Sequence, residues 1–233
     1  MKFLSLLTLA SFALAVPAPA SEPESVPELV SRQQQTAVGV IVDQVATLRT
    51  AVQANVETIN QAVAEIKGNI DAQVIVELQA IIKANLEAIV QAVVTATASI
   101  VAVTTGAAGG VAGAIIGLTQ QQIIQLIAAI EASIEVISQI SVVITVIVTD
   151  LSPDIQAFLD AEIQAVKEIL NPFIAPLAIF AAAILRASVV VTVAITGLRA
   201  ALLALLRIQL GLIASLGIPV EPSIPTVSAV AGL

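Results

Sequence analysis

From Thr36 onward the apolar side chains recur in steps of three and four: Ile41, Val45, Leu48, Val52, Val56, Ile59, Val63, Ile66 and Ile70. On a helix that spacing lines them along one stripe, and Asp43, Arg49, Gln53, Glu57, Asn60, Gln61 and Lys67 keep the remaining surface wet. Lys67-Gly68 gives a cationic last turn and a stop. Asn69 or Asp71 then caps a second helix with Val74, Leu78, Ile82, Leu86, Ile89 and Val93 inward, running to about Val103. The two helices share a segment, 54–63 against 84–93, identical at seven of ten positions. A shorter echo occurs at 132–139. The offsets, 30 and then 48, are unequal, so this is no solenoid repeat. Duplication of a hairpin and convergent use of a small helix-forming alphabet both explain it.

Between Glu87 and Glu131 no residue is ionisable. Gly109, Gly113 and Gly117 fall at i, i+4 and i+8, a spacing that can seat two membrane helices closely. The crowding of Gly106, Gly109 and Gly110 is equally a break between helices. The residues just beyond the glycines favour the break. Thr119 and Gln122 form a capping box, flanked by Leu118 and Ile123 as a hydrophobic staple. Residues 104–110 therefore read as a connector and 111–117 as a short helical turn.

The third long helix, Thr119 to about Thr149, carries one narrow polar strip: Gln121, Gln125, Glu131, Glu135, Ser138, Thr145 and Thr149. The rest of its circumference is apolar, which predicts cover on several sides and a place at the centre of the bundle. Ser152-Pro153-Asp154 starts a fourth helix, with Ile155, Phe158, Leu159, Val166, Ile169 and Leu170 inward. Asn171-Pro172 and Pro176 are expected to break it. From Pro176 to Ser215 the only charges are Arg186, Arg199 and Arg207. One helix of that span would be about 60 Å long, more than a domain of this size accommodates, so a bend or break is expected near Thr196-Gly197. Ile218 to Leu233 reads as a tail.

The expected architecture is all-α: a bundle of five to six helices over residues 36–217, with a Pro-containing tail at 218–233. Residues 1–15 read as a signal peptide, with Lys2, the apolar run Phe3 to Ala15, and Ala13-Leu14-Ala15 as the cleavage site; Ala20 is the alternative end. About 13 apolar residues are too few to span a bilayer. Residues 16–35 form an extended Pro/Ala/Glu-rich leader ending in Arg32-Gln33, either a processing site or an uncut linker.

Composition sharpens the function classes. Apolar residues make up 58% of the chain and mean hydropathy is +1.03, yet aromatics are only 2%, with no Trp or Tyr. The aromatic belts and basic flanks of membrane spans are missing. A net charge of −8 argues against nucleic acid as a partner. The chain contains no Cys and no His, which removes thiolate chemistry, disulfides and the commonest general base and zinc ligand. Ser215 lies outside any G-x-S-x-G elbow. Glu131 and Glu135 share a helix face without a histidine to complete a metal site, and read as a solvated strip. No catalytic, cofactor or metal constellation is expected.

What remains is a surplus of apolar side chains, each exposed Leu or Ile forgoing roughly 1.5–3 kcal/mol of burial. Arg199 and Arg207 lie about a quadrant apart on a helix and are candidates to hold an anionic headgroup or fatty carboxylate. Phe158, Phe173 and Phe180 are candidates to line the apolar part. The alternative for the arginines is that their stems snorkel to water or pair with acids on the fourth helix.

A signal ending Ala13-Leu14-Ala15, a leader ending Arg32-Gln33 and a Cys-free chain of Ala/Val/Ile/Thr/Gln helices together resemble a group of fungal secreted proteins. These are of the hydrophobic-surface-binding, cell-wall galactomannoprotein type, and the likeness covers about residues 1–170. The resemblance implies a secreted, wall-associated helical protein that binds lipids or apolar surfaces without catalysis. Two other readings stay open: a membrane-inserting effector or pore former, and a self-assembling structural protein of the wall.

Overall fold

Seven helices are present among the described residues: α1 (Ala37–Gly68), α2 (Ala72–Thr105), α3 (Gly110–Ile115), α4 (Gln120–Asp150), α5 (Pro153–Ala187), α6 (Val193–Leu216) and α7 (Val227–Ala231). The computed structural model describes residues 36–68, 71–106, 110–188, 192–218, 222 and 224–232, and no strand occurs among them. The expected signal peptide (1–15) and leader (16–35) lie outside the described residues, as do Asn69, Ile70 and Gly109.

The first two helices follow their apolar stripes. Ile41, Val45, Leu48, Val52, Ile59, Val63 and Ile66 of α1 are buried, as are Leu78, Ile82, Leu86, Ile89 and Val93 of α2. Asp71 caps α2 by accepting the Gln73 N–H at 2.9 Å. The shared segments are also locally equivalent. Asn55 donates to the Ala51 carbonyl and Asn85 to the Ile81 carbonyl, each at 2.7 Å.

The five long helices close a ring: α1 packs between α2 and α4, α2 against α5, α4 against α6, and α5 against α6. Three ion pairs and one buried amide pair fix their directions. Arg49–Glu135 (2.8 Å) and Lys67–Asp150 (3.1 Å) run in register, so α1 and α4 are parallel. Lys83–Glu162 (2.8 Å) aligns α2 with α5. Gln209 donates to Asn171 at 3.1 Å inside the bundle, joining antiparallel α5 and α6. One pole thus gathers the start of α1, the end of α2, α3, the starts of α4 and α6 and the end of α5. The opposite pole gathers the remaining ends of these helices.

The capping box at α4 forms: Thr119 Oγ1 accepts the Gln122 N–H at 3.2 Å, and Gln122 Oε1 accepts the Thr119 N–H at 2.8 Å. Gly117 has φ 75, a left-handed conformation that interrupts the helix, so Gly113 and Gly117 do not share a continuous stripe. The expected connector of 104–110 is shorter than that at both ends: α2 runs through Thr105 and α3 spans Gly110–Ile115 against the expected turn of 111–117, while residues 107–109 lie outside the described residues.

Four expectations need correction. First, α4 is not the central helix. Its outward Ile124, Val142 and Val148 stay exposed, because α4 is flanked by α1 and α6 and nothing described covers its outer face. The most enclosed apolar stretch belongs to α5, with 61% of its most apolar window buried, against 39% in α4. Second, α5 runs unbroken through Pro172 and Pro176. Each proline removes a backbone bond, at about 3 kcal/mol, but Phe173, Ile174 and Leu177 around them are completely buried and offset that cost at about 1.5–3 kcal/mol each.

Third, the break between α5 and α6 comes after Ser188, not at Thr196-Gly197. Val189 to Thr192 is a β-branched run, poor in helix propensity, and Thr192 then caps α6 by accepting the Ile195 N–H at 3.3 Å. Gly197 lies inside α6, where an added Cβ would sit 3.1 Å from Ile127 Cδ1 of α4; it allows close approach instead of a bend. Fourth, the tail folds back onto α6: Ile218, Ile224 and Val230 are buried, and α7 seats against α6.

Candidate functional site

Charge is distributed unevenly along the bundle. The last half of α2, all of α3 and the first third of α4 contain no ionisable residue, and none lies between Glu168 and Arg186 of α5. Since these segments converge on one pole, the charges there reduce to Asp43, Arg186 and Arg199 among the described residues. Within about two turns of the opposite pole lie Glu65, Asp71, Glu77, Asp150, Asp154 and Asp160 against Lys67.

The charge-poor pole is also where large apolar side chains protrude furthest. Val193, at the first turn of α6, is 87% exposed, and Ile116, between α3 and α4, is 80% exposed. Ile124, Val101 and Ile179 stand exposed on the flanks of the same end. Beside Ile116 an open cleft of about 590 Å³ separates the start of α1 from the end of α2 and from α3. Thr36, Val103, Ala114, Leu118 and Gln122 line it, with Gly106, Gly113 and Gly117 keeping its walls low. Only 28% of the most apolar stretch of α2 is buried. The tip thus leaves large apolar side chains, ringed by Thr and Gln, in contact with water.

Arg186 is exposed in the last turn of α5, and Arg199 is half-buried six residues into α6. Neither makes an ion pair among the described residues; the three pairs present use Arg49, Lys67 and Lys83. The alternative that the last three arginines pair with acids on the fourth helix is therefore not what the fold shows.

The expected ligand residues do not converge. Arg207 lies exposed about 12 Å along α6 from Arg199, over a shallow groove with Ser138, Val142 and Gly211. Phe173 and Phe180 are wholly buried core residues. Phe158 is 48% exposed instead of inward, with the Lys83 ammonium 5.7 Å from its ring centroid. A second apolar cleft, about 490 Å³, opens between α6 and the folded-back tail, lined by Leu206, Leu210, Ile213, Ile224 and Val227. Both clefts and the Arg207 groove open to solvent.

Sequence reasoning singled out the uncharged stretch 88–130 but missed Ile116 and Val193. Their signal was weak, since an exposed valine in an apolar run looks like its buried neighbours. Only the topology shows that the two meet at one end. Among the described residues no group of His, Cys, Asp and Glu has the arrangement to hold a metal. In comparisons with known proteins, no family model, no curated protein and no solved structure matches the chain.

Proposed function

We propose that the protein is a secreted, non-enzymatic helical bundle that attaches to lipid or other apolar surfaces through its charge-poor pole. The observation that carries this reading is the coincidence of the two most exposed large apolar residues, Ile116 and Val193, on the end of the ring that charge avoids. The apolar run and small-x-small site of residues 1–15 support export, and the resemblance to wall-associated surface-binding proteins supports an extracellular or cell-wall setting. The ligand in this reading lies on the tip and not inside the helices, since the clefts at the bundle ends are open.

Adsorption to hydrophobic beads and flotation with neutral phosphatidylcholine vesicles test it. Ile116→Asp with Val193→Asp should abolish both, while changing stability by no more than about 0.5 kcal/mol because both sites are exposed. Wild-type protein that stays in solution with beads and vesicles alike removes this reading.

A second reading has its own observation. Helices α2, α4, α5 and α6 are each long and apolar enough to cross a membrane by length and composition. An inserting protein would release dye from loaded vesicles, whereas tip attachment leaves them sealed. Self-assembly into a wall structure would instead appear as concentration-dependent oligomers in sedimentation without any lipid.

A further inference from the structure

We propose that the charge-poor pole docks specifically on an anionic lipid bilayer, with Arg186 and Arg199 meeting the phosphate groups and Ile116 and Val193 wedged just beneath them. This rests on the attachment reading above and adds the partner's charge and the molecule's orientation.

Three features carry it. Among the described residues Arg186 and Arg199 are the two basic groups of that pole against one acid, Asp43; both arginines reach solvent, and neither makes an ion pair with a described carboxylate. Protruding apolar residues flank them: Val193 is six residues before Arg199, about 9 Å along the helix, and Ile116 stands beside α3, which packs against α5. Guanidinium groups bind phosphate with several directed donors, and their stems can lie along apolar surface while the head stays at the polar boundary. The third feature is the far pole. Its excess carboxylates repel a negative surface, so an anionic bilayer selects one end of the molecule and rejects the other. A neutral apolar solid could use the tip but would leave both arginines without a counterion.

The test uses the full secreted chain with vesicles of phosphatidylcholine alone and of phosphatidylcholine with phosphatidylglycerol, at low and at high salt. Because the protein has no tryptophan, Ile116→Trp and Val76→Trp give single reporters at opposite poles. The expected result is binding up to roughly 30-fold tighter to the anionic vesicles at low salt, two surface cations being engaged. That preference should disappear in Arg186→Gln/Arg199→Gln, which should keep its binding to neutral vesicles. Tryptophan emission should shift to the blue at position 116 and not at 76. Equal binding to both vesicles overturns the inference and leaves attachment standing; so does a double variant that keeps the preference, or a blue shift at 76. Binding to neither vesicle nor to beads removes both.

Discussion

Phe173 and Phe180 point into the bundle and lose all contact with solvent, whereas Phe158 on the same helix lies half exposed beside the Lys83 ammonium. Ile155, Leu159, Ile163, Val166 and Leu170 form the buried stripe of that helix, and Phe158 falls off its edge. Phe173→Ala should therefore cost about 3–5 kcal/mol in chemical denaturation, with no change in lipid attachment per folded molecule. The neighbouring ion pair is sensitive to pH. The Lys83 hydrogen bond holds the Glu162 carboxyl below its ordinary value, against the opposing effect of burial, and the same hydrogen bond raises Lys83. A lowered carboxylate stabilises above its unfolded value and loses that contribution as pH falls through the folded one. A raised ammonium stabilises below its unfolded value and loses it as pH rises through the folded one. The pair's contribution is thus complete between about pH 4.5 and 10.5. Lys83→Met should lower the melting temperature at pH 6, the more so because Glu162 Oε2 is already buried without a partner. The gap to wild type should close as the medium is acidified below the lowered carboxyl value. The buried amides give a second measurement. Asn171→Leu strands Gln209 and should cost about 1–3 kcal/mol. The double Leu variant should recover part of it, since two polar groups then leave the interior together.

Among the elements, α1 and α2 were readable from their amino acids because each presents one stripe to the core and charges elsewhere. The start of α4 was equally readable, since Thr119 and Gln122 satisfy each other without help from the rest of the fold. The opposite holds for α5. Its prolines are a local stop signal, and only the burial of Phe173, Ile174 and Leu177 carries the helix past them. Pro172 is exposed, so Pro172→Ala restores a backbone donor without disturbing the core. It should raise stability by about 1–3 kcal/mol, read from denaturant midpoints; an unchanged midpoint would mean that the Glu168 carbonyl is already satisfied. Likewise Ile218, Ile224 and Val230 looked like a tail because prolines surround them, yet a bundle with an open side on α6 gives them a place to bury. Thr119→Ala should destabilise by about 1 kcal/mol through loss of the cap.

For the whole molecule, the all-α class was legible and the candidate site was legible only in half. The uncharged run between Glu87 and Glu131 pointed to one region of the chain. That the end of α5 and the start of α6 complete the same pole comes from the ring order and the parallel pairing of α1 with α4, which no local pattern encodes. The surplus of apolar residues on α4 predicts central placement, but in the ring it stays on the outside, as Val142 and Val148 show. On the proposed attachment, the segregation of carboxylates at the far pole has a consequence for the surface beneath. Molecules standing on their greasy tips would turn their acidic crowns toward the water, so an oil droplet covered by them would become wettable. Its electrophoretic mobility should then become more negative with coverage, and neighbouring molecules should space themselves by mutual repulsion that relaxes as salt is added.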